Sequence, residues 1–496
     1  MLKAKKNNEK GGSPPFYVFM KYMGGSMFFK NKFVKVYSAV LILVLSISFC
    51  VFTVSASSEF TVENGVLLSY NGSAKNVSVP SDVYFIADNA FKDNKSIRSV
   101  ELNNVTIIGN DAFRNCTSLA DVTEYDNLSS CGAFAFYGTP FQEQNPNQDL
   151  VMGSVLVHSK ASGVYTIPEN IKAISPYAFA QNKKLTSIAI GDNVSSVGEG
   201  AFWNCSALEA VSVSSKVSHI GGYAFEGTKY LNSVTDEFLV LGNGILVDVN
   251  SEDESVVIPS DVKQIGAASF AENSSLKSVA ISEGVTSIGK GAFAQCTSLE
   301  SVQLPASVVS VEAEAFYNCT SLKEVTIPET VKILGDSVFL GCTSLENARV
   351  CTDAPISTGL FAGCTKLRSV MISANTESVG SYAFYGCESL QEMSLPGSVS
   401  FIAQNAFDGC DDLTVWCDTD EHVGDILKQY GVKVNEIGDC NSDGKLNVRD
   451  STHIRKSVAG LLTLDFSAEL KADTDFNGVI NVRDATSIQK KLVGVD

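Results

Sequence analysis

The chain repeats one pattern of hydrophobic and polar positions along most of its length. In the unit 321–342, Leu322, Val325 and Ile327 are apolar, and Thr326 between the last two is polar. Successive side chains of a strand point to opposite faces. The alternation therefore predicts a strand with Val325 and Ile327 facing inward and Thr326 facing outward.

The second half of the same unit predicts the return path of the chain. Val331 and Ile333 form a second short strand in this interpretation, and Gly335 allows the turn that follows it. Phe339 and Cys342 then fill the interior. One such coil cannot bury its apolar face alone, but stacked coils bury it continuously.

A phenylalanine, usually preceded by alanine, marks each copy of the pattern. Successive copies are mostly 22 or 23 residues apart, with wider gaps from Phe136 to Phe179 and from Phe225 to Phe270. A fixed period of this size is typical of a solenoid. We therefore predict a β-rich solenoid of about 13 coils of 22–23 residues. The phenylalanines are Phe91, Phe113, Phe136, Phe179, Phe202, Phe225, Phe270, Phe293, Phe316, Phe339, Phe361, Phe384 and Phe407.

Three segments depart from the simple repeat and predict inserted β-hairpins. Residues 60–68, 149–157 and 238–247 each contain apolar runs on both sides of a glycine, and each precedes a proline of the repeat. These prolines, Pro80, Pro168 and Pro259, are about 90 residues apart. An amphipathic helix near 423–430 is expected to cap the open end of the core.

The unit resembles the BspA-like, or treponemal, class of leucine-rich repeats. The shared pattern is I-P-x-x-V-x-x-I-G-x-x-A-F-x-x-C-x-S-L, and the resemblance covers about residues 60–435. It implies a leucine-rich-repeat solenoid with inserted hairpins, which we assign to residues 57–436.

Residues 1–56 have the features of an export signal. Lys30, Lys32 and Lys35 precede an apolar run over 36–54, and small residues follow at the expected cleavage positions. Met27 is the better start of this signal, and residues 1–26 are interpreted as an upstream extension. The mature protein is then secreted. The alternative is an uncleaved membrane anchor, because the run is about as long as a membrane span requires.

The net charge argues against nucleic acid as a partner. The whole chain carries −18. Residues 1–56 hold eight Lys and one Glu, so the remainder carries −25. An acidic surface repels phosphate backbones.

Eight of the thirteen cysteines follow the repeat phenylalanine by three residues, which predicts a buried column of reduced thiols rather than disulfides. No pair has the C-x-x-C spacing of a zinc site. The eight are Cys116, Cys205, Cys296, Cys319, Cys342, Cys364, Cys387 and Cys410.

The sequence contains no recognisable catalytic motif, and we predict that the protein is not an enzyme. Its four histidines, His158, His219, His422 and His453, form no H-E-x-x-H motif, and no G-x-S-x-G is present. Carboxylates are plentiful, but they occupy variable solvent positions rather than a defined cleft.

The outward positions of the predicted strands are mostly small or polar and include no row of aromatic residues. This counts against a carbohydrate-binding sheet and leaves a protein-binding surface or a passive spacer. These positions are Glu101, Thr123, Ala189, Ser212, Thr235, Ala280, Gln303, Thr326, Arg349, Met371 and Ser394.

Two segments near the C-terminus match each other and have the spacing of EF-hand calcium loops. Oxygen-bearing side chains fall at positions 1, 3, 5, 9 and 12, with Gly at position 6 and a backbone carbonyl expected at position 7. Position 12 is Asp rather than Glu, and the Asn at position 9 is expected to act through water. The predicted ligands of two Ca²⁺ ions are Asp439, Asn441, Asp443, Lys445, Asn447 and Asp450, and Asp473, Asp475, Asn477, Val479, Asn481 and Asp484.

Helices predicted at 451–459 and 485–493 follow the two loops, and residues 437–496 resemble a type I dockerin. The resemblance implies calcium-dependent binding to a cohesin module of a scaffold protein. It also implies contacts by the pair at each helix start and by a pair in each mid-helix. The common Ser-Thr pair is absent, which leaves the cohesin class open. The corresponding residues here are Val448, Arg449, Arg455, Lys456, Val482, Arg483, Gln489 and Lys490.

Together these features predict a secreted, non-catalytic binding or structural component of a cellulosome-like complex, associated with polysaccharide breakdown. The ligand of the solenoid, a protein or a cell-wall component, cannot be named from the sequence. The alternatives are a dockerin-bearing glycoside hydrolase and a displayed inhibitor. The membrane is a partner only if the signal stays uncleaved.

Overall fold

The computed structural model describes residues 59–144, 149–372, 375–418 and 422–494. The predicted export signal, the start at Met27 and the extension 1–26 lie outside these residues. In the part of the chain that is described, no helix has the length and apolar character needed to cross a bilayer.

One side of the molecule is a ladder of parallel strands of three to six residues. The ladder is divided into four sheets of three, three, three and six strands, and within each sheet a strand pairs with the equivalent strand of the next turn, as in the register Val325↔Ala348. The strands are β3 (Asn76–Ser78), β5 (Ser99–Glu101), β7 (Asp121–Thr123), β11 (Gly163–Thr166), β13 (Leu185–Ile190), β15 (Ala210–Val213), β19 (Ser255–Val257), β21 (Ser278–Ala280), β23 (Ser301–Gln303), β25 (Glu324–Ile327), β27 (Asn347–Val350), β28 (Ser369–Ile372), β30 (Glu392–Ser394), β32 (Thr414–Cys417) and β33 (Lys433–Glu436).

A second parallel ladder of two-residue strands forms another side of the solenoid. In each pair the second residue is buried, so every rung adds one apolar side chain to the core. The strands are β4 (Phe85–Ile86), β6 (Ile107–Ile108), β8 (Ser130–Cys131), β12 (Ala173–Ile174), β14 (Ser196–Val197), β16 (His219–Ile220), β20 (Gln264–Ile265), β22 (Ser287–Ile288), β24 (Ser310–Val311), β26 (Ile333–Leu334), β29 (Ser378–Val379) and β31 (Phe401–Ile402).

The three predicted hairpins are confirmed, and each starts a new stretch of the second ladder. Their strands pair antiparallel, and the later strand of each hairpin then pairs parallel with the next two-residue strand. Counting the hairpin units, the β-solenoid has about 16 turns. The hairpins are β1 (Phe60–Glu63) with β2 (Val66–Tyr70), β9 (Leu150–Met152) with β10 (Val155–His158), and β17 (Phe238–Leu241) with β18 (Ile245–Val249).

The repeat phenylalanines form the centre of the core. Twelve of them, all except Phe407, are fully buried. Within each stretch between hairpins their rings stack on the next turn, with centroids 4.6 to 5.7 Å apart. Offset stacking at this distance adds to the stability gained by burial.

The eight repeat cysteines are buried and unpaired, as the sequence predicts. Each Sγ–H donates to the backbone carbonyl of the phenylalanine one turn earlier, at 3.0 to 3.2 Å. Burial raises the pKa of the Cys296 thiol to about 12. The thiols therefore bridge consecutive turns as neutral groups.

The second strand of this repeat is β26 (Ile333–Leu334), whereas the sequence predicted a strand containing Val331 and Ile333. Leu334, not Ile333, points into the core, because Ile333 is 41% exposed and Leu334 is 5% exposed. The chain bends between Val331 and the strand, so the inward positions are three residues apart rather than two. Gly335 is needed for close approach: a Cβ there would lie 2.1 Å from the amide nitrogen of Ala313.

Short helices occupy the wide gaps and the C-terminal end of the solenoid. Helices α1 (Pro140–Glu143) and α2 (Lys229–Ser233) precede the second and third hairpins. The predicted cap is confirmed as α3 (His422–Gln429), which buries Val423 and Leu427 against the last turns.

Three helices follow the solenoid in the C-terminal module, which we define as residues 437–494. They are α4 (Val448–Val458), α5 (Phe466–Ala472) and α6 (Val482–Val493). Helices α4 and α6 begin three residues before their predicted starts, because Asn447 and Asn481 cap them. Helix α5 has no counterpart in the sequence-based prediction.

Candidate functional site

The first loop of the C-terminal module, residues 439–450, is organised by hydrogen bonds from its own backbone to its acidic side chains. The Asp439 carboxylate accepts from the N–H groups of Asp443 (3.1 Å) and Gly444 (2.9 Å). The Asp450 carboxylate accepts from the N–H groups of Asn441 (3.3 Å) and Asn447 (2.9 Å). Both carboxylates are thereby turned toward the interior of the loop.

The second loop, residues 473–484, repeats this geometry. Asp473 accepts from Asn477 (3.0 Å) and Gly478 (2.8 Å). Asp484 accepts from the N–H groups of Thr474 (3.0 Å) and Asn481 (2.9 Å). The two loops thus share the backbone donors at positions 5, 6 and 9, whereas the other donor to the position-12 carboxylate is at position 3 in the first loop and at position 2 in the second.

The second loop brings together a donor set suited to a hard cation. Carboxylate oxygens of Asp473, Asp475 and Asp484 lie within 4.8 Å of one another. Burial, and then the neighbouring charges of Asp484 and Asp475, raise the pKa of Asp473 to about 7. A bound Ca²⁺ would relieve this repulsion, because it takes six to eight oxygen ligands.

The asparagines at position 9 have a second role in both loops. The side-chain oxygens of Asn447 and Asn481 accept from Arg449 and Arg483 N–H at 2.9 and 2.8 Å. Their amide groups donate to the carbonyls of Lys445 (2.8 Å) and, in the second loop, of residue 479 (2.9 Å). These asparagines therefore connect the loop to its helix, which fits the prediction that they act on an ion only through water.

Helices α4 and α6 pack on each other and hold the two loops side by side. Ser451 Oγ donates to the carbonyl of Ala485 (3.0 Å), and Arg455 donates to Gln489 Oε1 (2.8 Å). Each contact joins positions 34 residues apart, so it joins equivalent positions of the two halves. The apolar core between them is small and consists of Cys440, Ile454, Leu464, Ala472, Ala485 and Ile488.

The residues predicted to bind cohesin lie mostly on the surface. Val448 and Val482, at the two helix starts, are 59% and 54% exposed. Gln489 is half-buried because it accepts the hydrogen bond from Arg455. The charged members of the set are all exposed, and they are Arg449, Arg455, Lys456, Arg483 and Lys490.

Helix α5 seats the module on the strand face of the last solenoid turns, a contact that the sequence did not predict. Met371 and Ser394, both predicted to be outward and exposed, are 4% and 1% exposed. Arg349 is half-buried. These three predictions are wrong because α5 lies over β28 and β30. Thr235 is also wrong as a strand position, since it lies between α2 and β17.

Charged groups fix the seated helix. Lys471 Nζ lies 2.9 Å from the Glu392 carboxylate and 4.7 Å from the ring centroid of Trp416. The side chain of Lys471 is only 5% exposed. A buried lysine is costly unless it is paired, so this contact requires Glu392 to be in place.

Three further ion pairs join the module to the solenoid. Arg349 pairs with Glu469 and lies 4.5 Å above the ring of Phe466. From helix α6, Lys491 contacts Glu436 (2.6 Å) and Asp418 (3.0 Å).

The sequence contains signals for this contact that are clear only in retrospect. Met371 and Trp416 are the large apolar residues of an otherwise small and polar outward column. Asp465 caps α5, and Phe466 and Leu470 are spaced to share one face of it. Neither signal indicates by itself that the two surfaces meet.

The remaining outward positions of the strand ladder behave as predicted. Ala189 is partly exposed, and the exposed ones are Glu101, Thr123, Ser212, Ala280, Gln303 and Thr326. A shallow depression of about 360 Å³ on this face is lined by Glu300, Ser301, Lys323, Glu324, Glu346 and Asn347. Lys323 lies 2.6 Å from Glu300 and lowers the pKa of that carboxyl group.

Two families match the chain. The BspA type leucine rich repeat region matches in six copies over residues 67–151, 161–239, 249–355 and 354–420. The dockerin type I domain matches residues 437–493. Both are non-catalytic binding domains, and dockerin type I domains bind calcium.

Several solved structures resemble the chain, whereas no curated protein matches it. The pneumococcal vaccine antigen PcpA is 21% identical and covers 76% of this chain and 95% of its own, with a TM-score of 0.34. A leucine-rich repeat protein from Bacteroides ovatus is 20% identical over 80% of this chain and 100% of its own, with a TM-score of 0.32. The T. pallidum leucine rich repeat protein is 26% identical over 41% and 97%, with a TM-score of 0.35. Since the repeat match covers more than half of the residues, the chain belongs to the BspA-type leucine-rich-repeat family and ends in a type I dockerin domain.

Proposed function

We propose that this protein is a secreted, non-catalytic binding component of a cellulosome-like complex, attached through its dockerin to a cohesin of a scaffold protein. The observation that carries the proposal is the exposure of both helix-start pairs, Val448 with Arg449 and Val482 with Arg483, on a module whose other side is seated on the solenoid. The binding unit is residues 57–436, and the attachment unit is residues 437–496.

Each dockerin loop binds one Ca²⁺ ion in this proposal. Side-chain oxygens at positions 1, 3, 5 and 12 and the carbonyl at position 7 supply the ligands, and the asparagine at position 9 acts through water. The ligand residues are Asp439, Asn441, Asp443, Lys445, Asn447 and Asp450, and Asp473, Asp475, Asn477, Val479, Asn481 and Asp484. The carboxylate cluster of the second loop and the matching hydrogen bonds of the first support two sites.

Cohesin binds either of two related faces of the dockerin. One face presents Arg449 and Lys456, and the other presents Arg483 and Lys490. The 34-residue equivalence of the two halves supports this, because a half-turn exchanges the faces. An acidic patch on cohesin can then dock in two orientations. The contact between Arg455 and Gln489 is the place where the symmetry breaks, since a basic residue faces an amide.

Calorimetric affinity of the full chain for a cohesin with an acidic surface tests the attachment. We expect binding in Ca²⁺ and none after chelation. Arg449→Ala with Lys456→Ala should change the affinity little, and so should Arg483→Ala with Lys490→Ala, because the complex uses the other face. The quadruple variant should lose several kcal/mol, on the order of a charged interface cluster.

Failure of either double variant to bind would establish one face and one orientation. Calcium-independent binding, or none by the unaltered chain to any cohesin, would contradict attachment through the dockerin.

The solenoid supplies a binding surface rather than a catalytic site. Glu300 is the carboxyl group of the strand-face depression whose pKa is shifted, and the shift is downward, opposite to what a general acid needs. The alternative of a glycoside hydrolase predicts release of reducing sugar from xylan, cellulose or pectin. We expect the full chain to release none above a dockerin-only control.

A further inference from the structure

The two calcium loops differ at their fourth position, and the second loop has an apolar side chain there that packs against the solenoid. Phe476 in the second loop packs with Met371, Trp416, Ile437 and Leu470 and is 7% exposed. Ser442 in the first loop has nearly the same left-handed backbone, with φ of +57° against +56°, but it is exposed, and its Oγ accepts a hydrogen bond from Lys471 Nζ (3.0 Å). The same loop geometry therefore places an aromatic ring on the solenoid in one half of the dockerin, and in the other half a hydroxyl that contacts Lys471 of α5.

The second loop is also continuous with the helix that seats the module. Asp473, its first residue, is the C-cap of α5, and its N–H donates to the carbonyl of Glu469 (3.0 Å). Lys471, two residues earlier, is the buried partner of Glu392. Any movement of Asp473 therefore displaces the charged and apolar contacts on both sides of it.

The solenoid approaches the glycine of the second loop as well. A Cβ at Gly478 would lie 3.8 Å from Sγ of Cys351, the residue that follows β27. In the first loop, the equivalent Gly444 has no heavy atom within 4 Å of the same point. The surroundings of the two ion sites are thus unequal although their sequences match.

We propose that ion binding in the second loop is coupled to seating of the dockerin on the solenoid, and that ion binding in the first loop, which reaches this contact through the Ser442–Lys471 hydrogen bond, is coupled more weakly. This inference rests on the proposed calcium sites. We call the contact of α5 and Phe476 with β28, β30 and Trp416 the junction. An ion in the second loop holds Asp473 and Phe476 in the positions that this junction requires. By reciprocity, an intact junction raises the affinity of that loop for Ca²⁺, and couplings of this kind typically change affinity roughly 5–150-fold.

The coupling also predicts where the dockerin lies relative to the solenoid when the Ca²⁺ concentration is low. When the second loop is empty, Phe476 and α5 leave the strand face, and the module is held only by the chain near residues 437–440. When the loop is filled, the dockerin and the solenoid move as one body. The protein then presents its solenoid to partners in a fixed direction relative to the scaffold.

Calcium titration by calorimetry on the full chain tests this, with the junction weakened from the solenoid side. Met371→Ser removes an apolar contact of Phe476 without altering either loop. Gln303→Ser, at an exposed position of the same outward column, is the matched control. We expect Met371→Ser to weaken one of the two sites roughly 5–150-fold and to change the other much less, and Gln303→Ser to change neither.

The emission of Trp416 identifies which site is affected. Trp416 contacts both Phe476 and Lys471 at the junction, and Trp203 is the only other tryptophan of the chain. In a Trp203→Phe background, the Trp416 signal should change mainly with filling of the weakened site. Phe476→Ser, which gives the second loop the residue of the first, should lower the affinity of the same site.

The outcomes separate the two proposals. Absence of calcium binding by the unaltered chain would overturn the calcium sites themselves. If the chain binds two Ca²⁺ ions and Met371→Ser changes both affinities equally or changes neither, the calcium sites stand and the coupling is overturned. A Trp416 signal that follows the less affected site would overturn it as well.

Discussion

The solenoid and the dockerin are both built from repeated sequence, yet the repeats are combined in opposite ways. In the solenoid each turn stacks on the next, so every copy extends the same phenylalanine column and the same apolar core. In the dockerin two copies close on each other, and the core between them has six buried residues. An open stack gains core with each copy, whereas a closed pair cannot.

The solenoid and the dockerin consequently bury different kinds of side chain. The fully buried large side chains of the solenoid are its phenylalanines. The dockerin instead buries the carboxylates of Asp439, Asp450, Asp473 and Asp484. Burial raises the pKa of Asp450, Asp473 and Asp484, which shows that the charged forms are disfavoured without a cation. Apolar contact stabilises the solenoid, and ion binding is expected to stabilise the dockerin.

Chelation of Ca²⁺ should have the largest effect on folding, and it should affect the dockerin and not the solenoid. Removal of Ca²⁺ is expected to unfold residues 437–494 and leave the solenoid folded, because the ligands lie in the dockerin loops. At Ca²⁺ near 100 times the dissociation constant, each site would stabilise the module by roughly 2.7 kcal/mol. Hydrogen exchange with and without chelator measures both regions in one sample. Equal protection of α4 and α6 in the two conditions would contradict the contrast.

A cavity in the phenylalanine column should produce the converse result. Phe316→Ala is expected to lower the free energy of unfolding of the solenoid by about 3–5 kcal/mol, because the ring is fully buried between two others. Phe407→Ala, at the half-buried end of the column, is the matched control and should cost less. Urea unfolding followed by strand circular dichroism measures both. If the two variants cost the same, the column does not act as a continuous stack.

Overpacking of the cysteine column should have a smaller effect. Cys319→Leu is expected to destabilise the solenoid by about 1–3 kcal/mol, since the site is closely packed and fully buried. Cys319→Ala provides the control without added volume.

The same thiols should resist a thiol reagent in the native protein and react after unfolding. Mass spectrometry that finds a disulfide between any two cysteines of the column would contradict the buried, reduced state.

The repeats explain how much of the fold could be predicted. A period of 22–23 residues fixes the inward positions, so Val325, Ile327 and Phe339 were assigned correctly from one unit. The second strand was predicted to include Val331 but begins at Ile333, because Val331 is apolar and buried without belonging to a strand. The helix starts at Asn447 and Asn481 were missed because an asparagine can be a calcium-loop residue and an N-cap at once.

The junction could not be predicted, because it joins residues that are far apart in sequence. Arg349 and Glu469 are 120 residues apart, and Ser467 and Glu392 are 75 apart. Each residue alone fits an ordinary solvent position of a strand or a helix. Only the packing of α5 on β28 and β30 gives them partners, and no local pattern carries that information.

The length of the solenoid and its contact with the dockerin depend on different parts of the chain. Among the described residues, the ion pairs and apolar contacts that hold the dockerin involve Arg349, Met371, Glu392 and Trp416, which lie on β27 and later strands. A gain or loss of whole turns upstream of these strands would move the far end of the molecule by about 4.8 Å per turn. The contact with the dockerin would be unchanged. The number of upstream turns therefore sets the length of the solenoid, and duplication or deletion of turns can change that length without altering the residues that contact the dockerin.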